Sequence, residues 1–337
     1  MVNYSTVVQT GAAIIIEILF GFVTCKLDLF PQKAANALNR FLLKCCYLPM
    51  IARAIAIKDL GSLSFMPFVI AILTIATCAI ILGIICFFSK CFKDRFYMFL
   101  STYLPSHYVN YLIIGLPIFY SIWNEEESVM VAVQNMSGDL FVVPIYLVCT
   151  RIYQVQKINR EHLVSNDGQV EKIDWHLPLD IFIRVITNNF IIGNALGFIY
   201  AATKWKMCPY LWDVMKYLGD AVLALCMFTV GAFLSQHNII ACNFVHLVVT
   251  LLIRHVAFPF VVALYCFAFN LSHRLSRQIL VVATLPSATA SFLFSEVNQT
   301  GPGVASSMIL WSTLLCIPFI ILWLFVLDKL HIFMEDE

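Results

Sequence analysis

Charged side chains are scarce in this sequence. Asp, Glu, Lys and Arg make up 12% of the 337 residues, whereas a soluble protein carries about 25%. Apolar residues account for 61% of the chain, and its mean hydropathy is +0.86. The 21 basic and 20 acidic residues nearly cancel, so net charge indicates no nucleic-acid partner. The composition argues against a cytosolic enzyme and predicts an integral protein of the lipid bilayer.

The motifs of metal, cofactor and hydrolytic chemistry are also absent. The twelve cysteines include no C-x-x-C pair, so neither a metal site nor a disulfide framework is predicted, and no cofactor is expected. There is no Walker motif, nucleophile elbow or H-E-x-x-H sequence, which leaves ATP-driven transport and hydrolysis without support. The N-terminus lacks the basic residues that open a signal peptide, so the first apolar run is predicted to be a permanent span.

Long apolar runs predict an all-α membrane protein of about ten transmembrane helices, because a span needs about 20 apolar residues. Helix is the only such structure that pairs every backbone amide within one segment. Helices 1 to 5 form residues 1–150, residues 151–178 are a short cytoplasmic loop, and helices 6 to 10 form residues 179–337. The predicted spans are helix 1 (7–24), helix 2 (37–57), helix 3 (65–88), helix 4 (96–123), helix 5 (128–150), helix 6 (179–202), helix 7 (210–234), helix 8 (239–269), helix 9 (276–296) and helix 10 (303–327).

The two halves share sequence landmarks at offsets near 175 residues. GFVTCKLDLFP in helix 1 and its exit matches GFIYAATKWKMCP at and after the end of helix 6, and LFVVPIYLV in helix 5 matches LLCIPFIIL in helix 10. Pro117 in helix 4 and Pro286 in helix 9 fit the same register. Because each copy has five helices, the second would insert upside down relative to the first. The alternative is a chance alignment of prolines.

Basic residues in the connections set the expected orientation. With the N-terminus outside, the cytoplasmic side receives nine basic residues and the outside six. We therefore expect both termini on the non-cytoplasmic side. The cytoplasmic set is Lys26, Lys33, Lys90, Lys93, Arg95, Arg151, Lys157, Arg160 and Lys172, and the outer set is Lys58, Lys204, Lys206, Arg274, Arg277 and Lys329.

Prolines interrupt helices 4 and 9 at matching positions. In helix 4 the sequence Gly115-Leu116-Pro117 removes one amide donor, so the helix should kink or open there, and Pro286 does the same in helix 9. A single membrane proline is often only a kink. A matched pair is typical of a transporter whose half-helices meet near the membrane midplane, with their amide-rich ends facing a substrate.

The N-x-x-x-x-G-x-P spacing of Asn110, Gly115 and Pro117 resembles the helix 4 motif of the auxin efflux carrier superfamily. This superfamily includes plant PIN-FORMED carriers, PIN-like proteins and bacterial carriers of organic acids. Helix 2 (LNRFLLKCCYLPMIARAIAIKDL), helix 7 (LGDAVLALCMFTVGAFLS), RHVAFP in helix 8 and LPSATASFLFSEV in helix 9 are also similar to the family. The resemblance thus touches nearly every span, and the helix 4 motif is its specific part.

The resemblance implies two inverted five-helix repeats in which helices 4 and 9 cross at their breaks. It also implies an elevator mechanism that moves a small organic anion without nucleotide hydrolysis. Carried over to this chain, Asn110 and Pro117 lie at the helix 4 crossing, and Pro286 with Ser287 at the helix 9 crossing. Helix 9 has Ala290 where relatives often place an asparagine, so the substrate and transport competence of this chain can differ from those of the plant carriers.

Several polar residues are candidates for substrate binding, with interhelical hydrogen bonding as the alternative for each. The predicted substrate-binding set is Asn110, Gly115, Pro117, Gln134, Asn135, Pro286, Ser287 and Thr289. Ionisable residues inside spans are candidate functional groups because their burial in lipid is costly. Glu17 and Arg254 are therefore candidates either for ion coupling or for a structural ion pair.

The sequence favours a secondary membrane transporter and leaves one rival with the same fold. That rival is a PIN-like domain that binds a lipid or sterol as a sensor, without transport turnover. We expect residence in the plasma membrane or the endoplasmic reticulum membrane, with a homodimer as an open possibility. The identity of the anion and any coupling to protons or sodium are not determined by the sequence.

Overall fold

The computed structural model describes residues 4–56, 64–90, 92–123, 125–165 and 176–333. This part of the chain is helical, and its β-structure is limited to one isolated bridge between Val109 and Ser287. Each of the ten predicted segments is largely helical, which confirms an all-α membrane protein. Six helices in the described part are long and apolar enough to cross a membrane: Ser5–Lys26, Met66–Phe88, Val129–His162, Pro209–Leu234, Phe244–Ala268 and Pro302–Lys329. The count of ten spans, the inverted repeat and the orientation stay predictions.

Several of the helices are divided by breaks or by π-helical turns. Helices 4, 6 and 9 each fall into two parts, which we call a and b. In the first half the bounds are Tyr4–Lys26 for helix 1, Gln32–Phe41, Leu42–Cys46 (π) and Tyr47–Ala56 for helix 2, Met66–Phe88 for helix 3, Arg95–His107 for helix 4a, Tyr111–Ile122 for helix 4b, and Val129–Ser137, Gly138–Val142 (π) and Val143–Ser165 for helix 5.

The second half shows the same kind of division. Its bounds are Leu177–Ile186 for helix 6a, Asn189–Thr203 for helix 6b, Pro209–Leu234 for helix 7, Phe244–Leu252, Ile253–Ala257 (π) and Phe258–Ala268 for helix 8, His273–Ala283 for helix 9a, Ala290–Val297 for helix 9b and Pro302–Lys329 for helix 10. Helix 5 runs past its predicted end at Thr150, so the first part of the predicted 151–178 loop is helical.

Short polar side chains mark where several helices begin. The side chain of Asp94 accepts a hydrogen bond from the amide of Tyr97 at the start of helix 4a. Asn188 caps helix 6b in the same way, through the amide of Phe190, and Asn243 caps helix 8. Each cap supplies a partner for an amide that has none within its own helix. These caps explain why the helices start at these residues.

Four π-helical turns in the described helices each precede a proline by two or three residues. A proline has no amide, and its ring crowds the carbonyl four residues earlier. A π turn widens the helix at that carbonyl and relieves the crowding. In helix 8 the carbonyl four residues before Pro259 belongs to His255, and it accepts a hydrogen bond from Trp323 Nε1 at 2.9 Å. The four prolines are Pro49, Pro117, Pro144 and Pro259.

The helices pack in two groups. Group A contains helices 1, 2, 6b and 7, and group B contains helices 3, 4, 5, 8, 9 and 10. In group A, glycines bring backbones into direct contact: Gly21 of helix 1 lies against the backbone of Phe228, and Gly231 of helix 7 against that of Ile18. Small residues allow such close packing inside a membrane, where apolar surface alone gives helices little reason to associate. The groups meet where helices 1 and 7 touch helix 4b, where helices 2 and 6b touch helix 5, and where helix 1 touches helix 10.

Large apolar side chains cover the outer surface of the helices. Phe20 on helix 1, Ile80 and Phe88 on helix 3 and Phe260 on helix 8 are all exposed. A soluble monomer rarely exposes so much apolar surface. These faces therefore suit contact with lipid, as expected for a membrane-embedded protein.

Candidate functional site at the helix crossing

Helix 4 opens further upstream than the sequence predicted. Its chain leaves the helical conformation at Tyr108–Asn110, between helices 4a and 4b, rather than at Gly115-Leu116-Pro117. The Pro117 end instead carries the π turn Tyr111–Gly115, which meets the expectation of a kink but not of an opening. The proline marks a missing donor, whereas the opening lies where the backbone finds partners elsewhere in the fold.

Those partners belong to the break in helix 9, so the two breaks cross. The amide of Asn110 donates to the carbonyl of Pro286 at 2.9 Å, and the amide of Ala288 donates to the carbonyl of Tyr108 at 2.8 Å. Together they form a short antiparallel bridge centred on Val109 and Ser287. In lipid an unpaired backbone group costs several kcal/mol. Each break therefore stabilises the other, and the predicted crossing of helices 4 and 9 is confirmed.

The helix 9 break lies at the predicted proline. Residues 284–289 separate helices 9a and 9b, with Pro286 inside the break. Ser287 is fully buried, its amide donates to Ser312 Oγ of helix 10 at 3.0 Å, and its hydroxyl lies 3.2 Å from Ser291 Oγ. Thr289 is half-buried and its side chain does not cap helix 9b. The hydroxyl of Ser287 is thus engaged within the protein, while Thr289 borders the crossing.

Arg254 of helix 8 holds the carbonyl ends of both broken helices. It is completely buried, and its Nε donates to the carbonyl of Leu285 at 2.8 Å. Its two terminal nitrogens donate to the carbonyls of Ser106, at 3.2 Å, and of Ala283. Ser106 lies in the last turn of helix 4a and Ala283 ends helix 9a, where unpaired carbonyls give a partial negative charge. The guanidinium also lies 4.6 Å from the ring centre of Phe258.

Glu17 does not pair with Arg254 in the described part of the chain. Glu17 is half-buried on helix 1 of group A, which packs along helix 7. Arg254 uses its donors on the crossing carbonyls instead. The ion pair, one of the two predicted alternatives for Glu17 and Arg254, is absent from the described residues, and the alternative of ion coupling stays a prediction. Sequence patterns could not supply the true partners, because backbone carbonyls leave no mark in a sequence.

A buried carboxylate of helix 5 adjoins the crossing. Asp139 Oδ1 accepts a hydrogen bond from the hydroxyl of Tyr108, a residue of the helix 4 break, at 2.9 Å. Its Oδ2 accepts from Asn135 Nδ2 at 3.2 Å. Asn188, which caps helix 6b, donates to Oδ1 at 3.5 Å. The predicted site residue Asn135 thus reaches the crossing through Asp139, while Gln134 is buried beside it with no hydrogen bond to its Oε1 among the described residues.

The structure brings most of the predicted site residues to the crossing. Asn110 lies in the break, is 5% exposed and does not use its side chain to cap helix 4b. Gly115 packs against Leu285 of the other break. Pro117 is half-buried just beyond the π turn. Two residues that the predicted set lacks, Tyr108 and Ser312, also contact the crossing, and neither carries a motif that would have singled it out.

We expect Gly115→Ala to disturb the crossing. A Cβ at this position would lie 2.6 Å from Leu285 Cδ1, so the buried side chain of Leu285, or the helix 9 break that carries it, would have to shift, at a cost of about 1–3 kcal/mol of unfolding free energy. The second change Leu285→Val removes the clashing atom and should restore most of the loss. Thermal unfolding of the purified protein in detergent measures both effects.

Gly83→Ala is the matched control for this pair of variants, because the nearest atom to its Cβ would be 3.9 Å away on Phe99. It should not lower the unfolding temperature, because alanine favours a helix over glycine. A double variant no more stable than Gly115→Ala alone would contradict the proposed contact between the two breaks.

Comparison with known proteins identifies the family of this chain. Residues 6–324 match the family described as "Membrane transport protein". The chain belongs to this family, the auxin efflux carrier superfamily. It is 22% identical to Auxin efflux carrier component 8 of Arabidopsis thaliana over 251 residues, which cover 65% of this chain and 68% of that protein. It is 29% identical to Auxin efflux carrier component 3a of Oryza sativa subsp. japonica over 157 residues, 44% of this chain and 25% of that protein.

Membership of the superfamily makes this chain an integral, multi-pass membrane transport protein with a small-molecule substrate. The superfamily is one of transporters, which agrees with the expectation of a non-enzymatic function. The sensor alternative gains no support from these comparisons. The chain spans about two thirds of the first relative and a quarter of the second.

Proposed function

We propose that this protein is a secondary carrier of a small organic anion and that the anion binds at the crossing of helices 4 and 9. The supporting observation is the balance of charge there. Arg254 neutralises the carbonyl ends of helices 4a and 9a. The amide-rich starts of helices 4b and 9b, which carry partial positive charge, border the same crossing. The field at the crossing therefore favours an anion.

The names of the relatives support the same substrate class. They are called auxin efflux carrier components, and auxins such as indole-3-acetate are organic acids that are largely ionised at neutral pH. This chain has Ala290 at the start of helix 9b, where it offers neither the donor nor the acceptor of an amide. The preferred anion of this carrier is accordingly expected to differ from auxin in size or polarity.

The packing of the helices supports an elevator mechanism. Group A is held together by backbone contacts at its glycines, which suits a static scaffold. Group B contains both broken helices, Arg254 and Asp139. In the proposed cycle group B carries the crossing, with its anion, across the membrane relative to group A. Because both breaks are tied to each other and to Arg254, they move as one body.

We expect Asn110→Ala to lower anion uptake about ten- to a hundredfold, because a hydrogen bond to a charged group contributes about 1.5–3 kcal/mol. The assay is uptake of labelled indole-3-acetate, malate and a longer carboxylate into proteoliposomes under an imposed membrane potential. Saturable uptake of one of them by the native protein identifies the substrate class.

Asn36→Ala, at an exposed position of helix 2, is the matched control and should transport normally. The unfolding temperature of Asn110→Ala should stay close to that of the native protein. Unchanged uptake by Asn110→Ala would rule out a direct role of this side chain in binding. Absence of uptake by the native protein for every anion in the panel would overturn the proposed function.

A further inference from the structure

Asp139 is a buried acid that takes no part in the backbone hydrogen bonds joining the breaks of helices 4 and 9. It lies on the π turn Gly138–Val142 of helix 5 and is 3% exposed. Its three hydrogen-bond donors, on Tyr108, Asn135 and Asn188, are all uncharged. Among the described residues this carboxylate has no charged partner, and a buried carboxylate of that kind is costly in lipid, which makes it a candidate functional group.

The position of Asp139 connects the crossing to the boundary between the two helix groups. Tyr108 belongs to the crossing, because its carbonyl accepts the amide of Ala288. Asn188 caps helix 6b of group A, whereas Asp139 belongs to group B. The hydrogen bond from Asn188 is the longest of the three, at 3.5 Å. A change of charge on Asp139 therefore acts both on the anion site and on a contact between the groups.

Gly138 seats this carboxylate against the crossing. A Cβ on Gly138 would lie 3.0 Å from the ring of Tyr108, so the backbone beside Asp139 packs directly on that ring. The proximity matters for charge, because an ionised Asp139 would repel an anion bound at the crossing, and the repulsion is strong where water is excluded. Protonation of Asp139 makes the carboxyl neutral and removes this repulsion.

Other ionisable groups lie on the elements around the crossing. The hydroxyl of Tyr108 binds Asp139 directly, and His107 of helix 4a is engaged with the carbonyl of Tyr103. Arg254 of helix 8 is committed to three carbonyls. Arg184 lies one turn before Asn188 on helix 6a, and its side chain lies outside the described residues.

We propose that Asp139 carries a coupling proton and that the proton and the substrate anion bind together. This inference rests on the proposed function. One proton from the water on one side of the membrane binds an Oδ of Asp139, and it returns to water on the other side when the anion leaves. With the proton on Oδ1, this oxygen becomes a donor, to which the hydroxyl of Tyr108 can turn and accept, whereas the amide of Asn188 has only donors to offer it; the long bond from Asn188 is lost and the contact between groups A and B loosens.

The test uses the anion that the native protein takes up. Adding it to purified protein in a weakly buffered solution with a pH indicator should draw up to one proton per anion bound. Because the two ligands are linked, anion affinity should rise up to about tenfold for each pH unit of acidification. The Asp139→Asn variant should take up no proton, and its affinity should be tight and independent of pH.

Transport provides a second readout. In proteoliposomes Asp139→Asn should still exchange labelled for unlabelled anion, because exchange needs no net proton movement, but it should lose accumulation driven by an imposed proton gradient. Asp213→Asn, at an exposed position of helix 7, is the matched control and should accumulate anion like the native protein.

The outcomes separate the two proposals. Anion binding by the native protein without proton uptake would overturn the role of Asp139 and leave the carrier function intact. This measurement does not depend on whether Asp139→Asn folds.

Tyr108→Phe gives a second variant, which removes a hydrogen-bond donor to the carboxylate of Asp139. Without that donor the charged carboxylate is less stable, so proton coupling should move to higher pH. Unchanged coupling would count against the proposal. Absence of any anion exchange by the native protein would overturn the carrier function and this inference with it.

Discussion

Arg254→Met is expected to remove at least about 3 kcal/mol of unfolding free energy and to abolish transport. Three carbonyls, on Ser106, Ala283 and Leu285, lose their donor, and each buried acceptor left unpaired costs about 1–3 kcal/mol. A loss of this size is a large part of the 5–15 kcal/mol that keeps a typical protein folded. Thermal unfolding in detergent, followed by circular dichroism, measures it.

Arg254→Lys separates charge from geometry. An ammonium group keeps the positive charge but is compact and lacks the planar fork that reaches carbonyls of two helices at once. Its stability should lie between those of the native protein and Arg254→Met. Arg40→Met, at an exposed position of helix 2, is the control. An Arg254→Met protein as stable as this control would show that the crossing carbonyls find other donors.

Gly231→Val is expected to prevent the assembly of group A. Any Cβ on Gly231 would enter the carbonyl of Ile18 on helix 1, and because that atom is backbone it cannot turn aside as a side chain does. Helices 1 and 7 would have to separate along their whole contact. We therefore expect little folded protein, seen as loss of the monodisperse peak in size-exclusion chromatography after detergent extraction.

Gly83→Val, on helix 3, is the control for that variant, since the nearest atom to a Cβ at Gly83 is a ring carbon of Phe99, 3.9 Å away. It should be extracted and purified in native yield. A Gly231→Val protein that behaves like Gly83→Val would mean that helices 1 and 7 do not meet at their backbones.

The sequence was sufficient to predict the helices and the general place of the site. Apolar runs of spanning length gave the segments, and the spacing of Asn110, Gly115 and Pro117 pointed to helix 4. Pro286 lies inside the helix 9 break as expected. These features are local, since a missing amide or a run of apolar side chains acts within one or two turns of helix.

The contacts that define the crossing were beyond such reasoning. The bridge joins Val109 to Ser287, and no local pattern selects Val109 rather than Pro117 as the point of opening. Arg254 was singled out because it is charged, but its acceptors are backbone carbonyls that any residue could provide. The partner of Asp139 was hidden because Asn188 lies inside the predicted helix 6 (179–202), whereas the structure places a break there and makes Asn188 the cap of helix 6b.

The bridge between the two breaks also bears on how the protein is made. The chain enters the membrane from its N-terminus, so residues 108–110 are inserted long before residues 286–288 have been synthesised. During that interval the amide of Asn110 and the carbonyl of Tyr108 lack the partners that they have in the finished protein, and bare polar backbone is poorly tolerated in lipid. The first half of the nascent chain must therefore keep this point in contact with water, with the insertion machinery or with another helix until helix 9 arrives. Closure of the crossing thus belongs to a late stage of biogenesis, and a chain truncated before helix 9 would reach the membrane with that gap still open.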